Sequence, residues 1–313
     1  MTQRLTENQI ILVKRKTRLE DLIARYNTIG QARYYIEHLG SDFSDYTTED
    51  GQYRQAVSEA QATLGALARV QVVDREFIPN FLFGEQDVVV VIGQDGLVAN
   101  TMKYLSTQML VGVNPDPARW DGVLLPFRVS DLHLVAPEVF RHRRPIREVS
   151  MAKVTLNDGQ SLYGVNDLFI GQRTHVSSRY RIQLGTRHEL QSSSGIIVST
   201  GLGSTGWLRS VITGASGIAG EISGNRQKQP LDTKMPWNAD YLLFSVREPF
   251  PSRTTRTDLV FGKLTNTTPL KILSQMPENG VIFSDGVEND FLHFNSGIEA
   301  VVTVAEKKGH LVV

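Results

Sequence analysis

The feature that most constrains the fold is an uninterrupted apolar run followed directly by a glycine-rich loop. Asp87–Ile92 has the β-branched composition of a buried strand, and Gly93-Gln94-Asp95-Gly96 comes immediately after it. A strand that is apolar on both faces is typical of a parallel sheet with helices on both sides. A helix predicted to reach Leu105, then a strand at Met109–Val113, continue the pattern. The region therefore predicts an open, mostly parallel α/β sheet.

The residues before this run also alternate between strand and helix signals. Ile10–Val13 and Val70–Val73 are short apolar runs that predict strands. Apolar residues recur at helical spacing from Leu19 to Ile29 and again from Tyr53 to Leu67, as on the buried face of a helix. We therefore assign residues 1–128 to an N-terminal, Rossmann-like α/β domain that carries the glycine-rich loop.

The patterning changes after Pro126, where short apolar runs separated by turn residues replace the helical period. This change predicts a β-rich domain over residues 129–290, a sandwich of two sheets. Residues 291–313 are expected to finish this domain or to return to the first one. Residues 214–238, rich in Gly, Ser, Asn, Gln and Pro, predict a loop. The predicted strands are Ala152–Leu156, Ser161–Ile170, Tyr180–Leu184, Ile196–Ser199, Tyr241–Val246, Val281–Ser284 and Ala300–Val304.

Composition excludes several classes of function. The chain has 313 residues, formal net charge zero and no cysteine, so it has no disulfide, no zinc–thiolate site and no catalytic thiol. A neutral chain has no overall field to hold a polyanion, which argues against a nucleic-acid partner. Its apolar runs are too short to span a bilayer, and the first residues lack a signal-peptide core. We expect no membrane association and a cytoplasmic location.

The loop Gly93-Gln94-Asp95-Gly96 is the first candidate site. In an open α/β sheet, ligands bind beyond the carboxyl ends of the strands, and glycines at a helix start let backbone N–H groups approach phosphate. A carboxylate there opposes a phosphate charge, so metal binding or removal of a hydroxyl proton would explain Asp95. The alternative is an ordinary β–α turn in which Asp95 caps the helix.

The second candidate is the stretch from Ser199 to Trp207, which follows a predicted strand. Gly201–Gly206 formally matches the G-x-G-x-x-G dinucleotide pattern, but no strand with an acidic end follows near residue 221, so we reject that interpretation. Hydroxyls and glycines at a helix start still make a good anion and sugar site. The alternative is a glycine turn with Ser204 as N-cap.

Two arginine clusters are less informative. Arg141-His142-Arg143-Arg144 with Arg147 is more simply a solvated face than a phosphate site, and the cluster of Arg247, Arg253 and Arg256 has the same ambiguity. The sequence contains no P-loop, zinc-protease or nucleophile-elbow motif.

The order of these motifs resembles the NAD kinase family over residues 85–290. Gly93–Gly96 is similar to the family's Gly-Gly-Asp-Gly loop, and Ser199–Trp207 aligns without gaps on its Ser-Thr-Pro-Thr-Gly-Ser-Thr-Ala-Tyr stretch. Asn166-Asp167 resembles its Asn-Glu pair, and Asp285-Gly286 its late Asp-Gly turn. Gly112-Val113-Asn114, with the Pro-Asp-Pro that follows, looks closest to the mitochondrial type of NAD kinase and its bacterial relatives.

The resemblance implies an α/β domain and an all-β sandwich, with the dinucleotide in the crevice between them. It implies an ATP-dependent kinase that phosphorylates the 2′-hydroxyl of the adenosine ribose of NAD, with Mg²⁺ carried by the nucleotide, and a homodimer. The alternatives are a related kinase for another hydroxyl (sugar, nucleoside or lipid) and a non-catalytic dinucleotide-binding regulator.

The resemblance also implies residue roles. Asp95 would be the catalytic base, and Asn166 and Asp167 would hold ribose and base groups. Thr205 and Trp207 would contact the adenine end, and Ser210 would reach the nicotinamide amide. The remaining predicted nucleotide-binding residues are Gly93, Gly96, Asn114, Ser194, Thr200, Gly203 and Ser204. No protein-bound metal is expected.

Four departures from the family pattern bear on the substrate and on catalytic strength, one of them Gly201-Leu202 in place of Pro-Thr. Gln94 replaces a glycine of the catalytic loop, and Leu97 replaces a common threonine. Ser194 stands where many members have an aspartate that grips the nicotinamide amide.

Overall fold

The computed structural model describes residues 8–224 and 232–313. The described residues form two compact units, residues 8–147 with 309–313, and residues 148–224 with 232–308. This division differs from the predicted boundary at residue 128. No helix in the described part of the chain is long and apolar enough to cross a membrane.

The first unit is an α/β layer. Its strands are β1 (Gln9–Lys14), β2 (Arg69–Asp74), β3 (Val88–Ile92), β4 (Met109–Asn114) and β5 (Phe127–Arg128). Its helices are α1 (Arg18–Tyr26), α2 (Ile29–His38), α3 (Ser44–Gly65), α4 (Asp95–Met102) and α5 (Leu132–Phe140), with 3₁₀ turns at Arg75–Asn80 and Val129–Asp131.

Four strands of this unit run parallel in the order β2-β1-β3-β4. All five residues of β3 are buried, because helices cover both faces of a parallel sheet. The end of the chain also pairs parallel with β4, through His310 and Leu311. These pairings confirm the predicted parallel α/β sheet.

Helix α5 explains the misplaced boundary. It packs its apolar residues, among them Leu132 and Val135, into the core that α3 and the sheet share. Pro137 lies inside this helix, and a proline usually argues against a helix interior. The predicted boundary assigned Leu132–Phe140 to the second domain, whereas the structure groups this helix with the first unit.

The second unit is built from two antiparallel sheets over one core. One sheet contains most of β6 (Ile146–Leu156), with β7 (Ser161–Gly164), β9 (Ser178–Leu184), β10 (Arg187–Ser193), β14 (Leu270–Ser274) and most of β17 (Glu299–Val312). The other has the order β13-β12-β11-β8-β15-β16, formed by Phe261–Leu264, Leu242–Val246, Ile196–Ser199, Asp167–Gln172, Gly280–Ser284 and Val287–His293.

Alternate residues of both sheets fill the space between them. Ile182 and Ile272 of the first sheet, and Ile170, Val198 and Phe244 of the second, belong to one buried cluster. The predicted sandwich is therefore confirmed. The predicted strand Ser161–Ile170 is divided into β7 and β8 at Val165 and Asn166.

The described residues of the second unit include one long helix. Helix α6 (Trp207–Ser223) follows a 3₁₀ turn at Gly203–Thr205. It ends at Gly224, which has φ +65°, the left-handed conformation that favours glycine. The predicted loop over 214–238 is therefore wrong as far as Ser223, and residues 225–231 lie outside the described residues.

Candidate active site

The glycine-rich loop of the first unit lies at the carboxyl end of β3. Tyr53 of α3 donates its hydroxyl to the Ile92 carbonyl at 2.9 Å, and the Gly93 N–H donates to the Val113 carbonyl at 3.2 Å. Burial raises the pKa of Tyr53 to about 12, so its hydroxyl keeps the proton that makes this bond. The start of the loop is thus fixed by α3 and β4.

Asp95 is the first residue of α4, and the N-cap is Gln94, whose side chain makes no capping bond. The Asp95 carboxylate accepts instead from the backbone N–H groups of Leu124 at 2.8 Å and Val123 at 3.2 Å. Asp95 is therefore not the N-cap of the helix, which was the alternative interpretation. The carboxylate is oriented by a turn that lies 28 and 29 residues further along the chain.

The turn that holds Asp95 is itself held by Asn114. The Asn114 side chain donates to the Trp120 carbonyl at 2.9 Å and accepts from the Asp116 N–H at 3.0 Å. Gly122 has φ +64°, and a Cβ there would lie 2.7 Å from Asn114 Nδ2. Asn114, predicted as a binding residue, thus shapes the segment that contacts Asp95.

The loop glycines differ in surroundings. A Cβ on Gly93 would lie 2.9 Å from a Leu97 side-chain carbon, whereas a Cβ on Gly96 would meet nothing within 4 Å. Gly93 is buried and Gly96 is exposed. Gly96 therefore leaves room for a group to approach the start of α4 closely.

The second unit brings together Asn166, Asp167, Thr200 and Gly203. The Thr200 N–H donates to the Asn166 carbonyl at 3.0 Å, and its hydroxyl donates to the Val165 carbonyl at 2.5 Å. A Cβ on Gly203 would lie 2.2 Å from the Asn166 carbonyl oxygen. The loop after β11 and the segment before β8 are therefore packed backbone against backbone, which requires glycine at 203.

Asp285 organises this cluster, although the sequence did not mark it as a site residue. Its carboxylate accepts from the backbone N–H groups of Asn166 at 2.6 Å, Val165 at 3.0 Å and Asp167 at 3.3 Å. Its own backbone has φ +54°. One carboxylate thus accepts from three consecutive backbone N–H groups. It fixes the backbone from which the Asn166 and Asp167 side chains project.

The carboxyl group of Asp167 is strongly perturbed by its surroundings. Burial raises the pKa of Asp167 to about 7; the Ser199 hydroxyl lowers it and the Asp285 charge raises it. Its Oδ1 is buried without a hydrogen-bond partner. A buried, unpaired oxygen is costly, so this position is suited to a donor from a bound molecule.

The predicted hydroxyl residues divide into buried and exposed ones. Thr200 and Ser204 are fully buried, and the Ser204 hydroxyl donates to the Gly201 carbonyl at 2.7 Å and accepts from the Met235 N–H at 3.0 Å. Their observed contacts hold the loop backbone. Thr205 and Ser210 are exposed.

Trp207 and Ser194 line a separate pocket of the second unit. The Trp207 ring stacks on Phe169 with centroids 5.8 Å apart, and Phe169 stacks on Phe283 at 4.9 Å. The Ser194 N–H donates to the Arg247 carbonyl at 2.9 Å. The two phenylalanines escaped the sequence analysis because nothing in a strand pattern marks which outward-facing residues line a pocket.

Metal ligands are not clustered in the described part of the chain. Within residues 8–224 and 232–313, no group of three or more His, Asp or Glu side chains is placed to hold a metal ion.

Comparison with known proteins gives a consistent result. No protein-family model matches the chain. A protein named NAD kinase 2 from Geobacillus kaustophilus (strain HTA426) is 27% identical over 133 residues, which cover 41% of this chain and 49% of that protein. The match thus spans about half the length of this relative.

Two solved structures resemble the whole chain. An NAD kinase from Archaeoglobus fulgidus in complex with ATP has a TM-score of 0.57 at 13% identity, covering 97% of this chain and 93% of its own. Yeast NADH kinase complexed with NADH has the same TM-score and identity, covering 98% and 84%. The chain therefore has the NAD kinase fold and resembles the NAD kinase family, as its motifs predicted.

Proposed function

We propose that the chain is an ATP-dependent kinase that transfers a phosphoryl group to the 2′-hydroxyl of the adenosine ribose of NAD, giving NADP. The observation that supports this most is Asp95. It stands at the start of α4, after a fully buried parallel strand, with its carboxylate oriented by two backbone N–H groups.

Asp95 would position the acceptor hydroxyl and take its proton. A carboxylate oxygen has two lone pairs, so contacts with Val123 and Leu124 leave acceptor capacity for a ribose hydroxyl. Because phosphoryl transfer passes through a loose transition state, positioning is the main task, and the proton moves late as the O–P bond forms.

The start of α4 would receive the phosphates. Exposed Gly96 has no neighbour within 4 Å of a Cβ position, so a phosphate can approach the backbone N–H groups of the first helical turn. A divalent cation carried by ATP would neutralise charge on the transferred group. The protein supplies the backbone donors and the orientation.

The second unit would hold the dinucleotide. The unpaired Oδ1 of Asp167 would accept from a ribose or base donor, and Asn166 would add an amide beside it. Thr205 and Ser210, both exposed, would bind polar groups of the substrate, and Trp207 would stack on a ring. Thr200, Gly203 and Ser204 would shape the loop that carries them.

A second candidate is a kinase of the same superfamily that acts on another hydroxyl compound. The neutral Ser194 in the pocket beside Trp207 favours it, because the carboxylate that many relatives place there is absent. The predicted homodimer and cytoplasmic location stay predictions, which light scattering and cell fractionation can check.

A kinase assay over a panel of hydroxyl compounds separates the candidates. Wild-type protein, ATP and Mg²⁺ are incubated with NAD, NADH, nucleosides, sugars and diacylglycerol, and the products are identified by mass spectrometry. Phosphorylation of a dinucleotide supports the proposal. Phosphorylation of another compound alone supports the second candidate, and no transfer with retained dinucleotide binding supports a regulatory protein.

A further inference from the structure

The turn that orients Asp95 is tied to α3 by an arginine that the sequence motifs did not mark. Arg119 lies in the connection between β4 and β5, just before the two N–H groups that hold the Asp95 carboxylate. Its guanidinium donates to the Asp45 carboxylate, in the first turn of α3, at 2.6 Å. Its Nε also lies 3.5 Å from the Asp116 carboxylate. Arg119 thus joins this turn to a helix that lies far from it in sequence.

Asp45 is shared between two arginines. Its Oδ1 accepts from Arg119, and its Oδ2 accepts from Arg18 of α1 at 2.7 Å. The hydrogen bonds from Arg119 and Arg18 hold the pKa of Asp45 well below its usual range, so the carboxylate is charged at neutral pH. Asp45 therefore fixes Arg119 relative to both α1 and α3.

The series of ion pairs continues to the start of the glycine-rich loop. Arg18 also pairs with Glu49, a buried residue of α3, and Glu49 accepts from Arg15 at 2.9 Å. The Arg15 backbone N–H donates to the Tyr53 hydroxyl at 2.9 Å, and this hydroxyl donates to the Ile92 carbonyl. One connected set of contacts therefore reaches the loop from one side and the turn that holds its carboxylate from the other.

The exposure of the link between Arg119 and Asp45 limits what it adds to stability. The two side chains are 26% and 44% exposed, and ion pairs at such exposure contribute little to the free energy of unfolding. A small error in the position of a reacting group, in contrast, is costly in rate. Loss of the link should therefore lower turnover while the fold stays nearly as stable.

We propose that Arg119 is a positioning residue, which acts through Asp45 to hold the turn whose N–H groups orient the Asp95 carboxylate. Arg119 acts on the backbone of the turn and not on the substrate. The inference rests on the proposed function, because it takes Asp95 as the base of phosphoryl transfer. The hold of Arg119 on the turn can nevertheless be measured without any reaction.

The test compares wild-type protein with Arg119→Gln, Asp45→Asn and the double variant. The turnover number and the KM for NAD are measured with ATP and Mg²⁺. Hydrogen exchange of the full chain, without ligands, reports the protection of the Val123 and Leu124 amides. Chemical denaturation gives the unfolding midpoint of each variant.

The matched control is Arg54→Gln. Arg54 of α3 also makes two ion pairs, with Glu20 of α1 and with Asp50 of α3, and neither partner lies in the turn. This variant removes the same charge and the same number of ion pairs as Arg119→Gln. It should keep the turnover number, the KM and the amide protection of wild type.

We expect Arg119→Gln to lower the turnover number by roughly tenfold, with a KM for NAD and an unfolding midpoint close to those of Arg54→Gln. The Val123 and Leu124 amides should exchange several-fold faster than in wild type. The double variant should lose no more turnover than the worse single variant, because both changes break one link. Arg119→Lys, which keeps the charge but not the planar fork, should restore part of the rate.

Equal turnover of Arg119→Gln and Arg54→Gln, or unchanged exchange at Val123 and Leu124, would overturn the inference. Losses that multiply in the double variant would also overturn it. The proposed function is judged separately, by whether wild-type protein phosphorylates NAD. If wild-type protein forms no product, the kinase assignment fails, and the exchange rates alone decide whether Arg119 holds the turn.

Discussion

The carboxylate of Asp95 accepts the backbone N–H of Leu124 at 2.8 Å. This bond joins the start of α4 to the connection between β4 and β5. The neighbouring Val123 N–H adds a second, longer bond of 3.2 Å. The position of the proposed catalytic base thus depends on two backbone N–H groups of this turn.

Replacing Gly122 tests that dependence. A Cβ at residue 122 would lie 2.7 Å from Asn114 Nδ2 at a φ of +64°, so Gly122→Ala should displace the turn and its N–H donors. We expect the turnover number to fall by tenfold or more, since small misplacements of reacting groups are costly, with little change in dinucleotide affinity.

The matched control for this variant is Gly40→Ala. Gly40 also has a positive φ, +76°, but a Cβ there meets nothing within 4 Å. Gly40→Ala should lower the free energy of unfolding by a similar amount, about 1 kcal/mol, and leave turnover unchanged. Equal loss of turnover in both variants would show that the turn has no special relation to Asp95.

Gly203 should be required for stability of the second unit. A Cβ there would lie 2.2 Å from the Asn166 carbonyl oxygen and 2.8 Å from Asp167 Oδ1. Gly203→Ala should lower the free energy of unfolding by at least about 2 kcal/mol and weaken dinucleotide binding, as measured by chemical denaturation and titration.

The same substitution at Gly214 should have the opposite effect on the free energy of unfolding. Gly214 lies exposed inside α6 with no atom within 4 Å of a Cβ position. Gly214→Ala should raise stability by about 0.5–1 kcal/mol, because alanine loses less backbone entropy in a helix. A Gly203→Ala variant as stable as Gly214→Ala would contradict the close packing described above.

The raised pKa of Asp167, about 7, predicts a pH dependence of stability. In the unfolded chain an aspartate has a pKa of about 4. Between these values the folded protein keeps a proton that the unfolded chain has released. The contribution of Asp167 therefore makes the folded state less stable as pH rises from about 4 to about 7.

Asp167→Asn should remove that contribution. Relative to wild type, the variant should gain stability progressively across this window and be more stable at pH 8 than wild type, as measured by denaturation at a series of pH values. Asp240→Asn, at an exposed position, is the control. A stability difference between wild type and Asp167→Asn that is constant from pH 4 to pH 8 would contradict the raised pKa.

Local patterns predicted much of the fold. The run at β3, the strand β4 and the loop between β3 and α4 could be identified because periodicity and glycine placement are local signals. Helix α5 and the second half of α6 were missed. Low helix propensity indicates a break in the helix at Pro137, Gly214 and Gly217. The packing of neighbouring residues overrides this tendency.

The sequence motifs nominate candidate site residues, but they do not predict the contacts that those residues make. The loop aspartate could be named from its motif, whereas the N–H donors that orient it lie 28 and 29 residues away. Asp285 contacts the backbone 118 to 120 residues earlier. Contacts at such separations leave no period or spacing in the sequence.

The central claim is that Asp95 is the base of phosphoryl transfer, and the most direct measurement is the turnover number of Asp95→Asn. Asparagine keeps the size of the side chain and an acceptor for one of the two backbone N–H groups, but it cannot usefully take a proton. Positioned acid–base groups contribute about a hundred- to ten-thousand-fold in rate. Asp121→Asn, which removes an exposed charge next to the turn at Val123 and Leu124, is the control.

We predict that Asp95→Asn loses at least about a hundredfold in turnover, while its dinucleotide affinity and unfolding midpoint stay close to those of wild type and Asp121→Asn stays fully active. Turnover by Asp95→Asn within a few-fold of wild type would contradict the account and leave Asp95 as a residue that only holds the turn at Leu124.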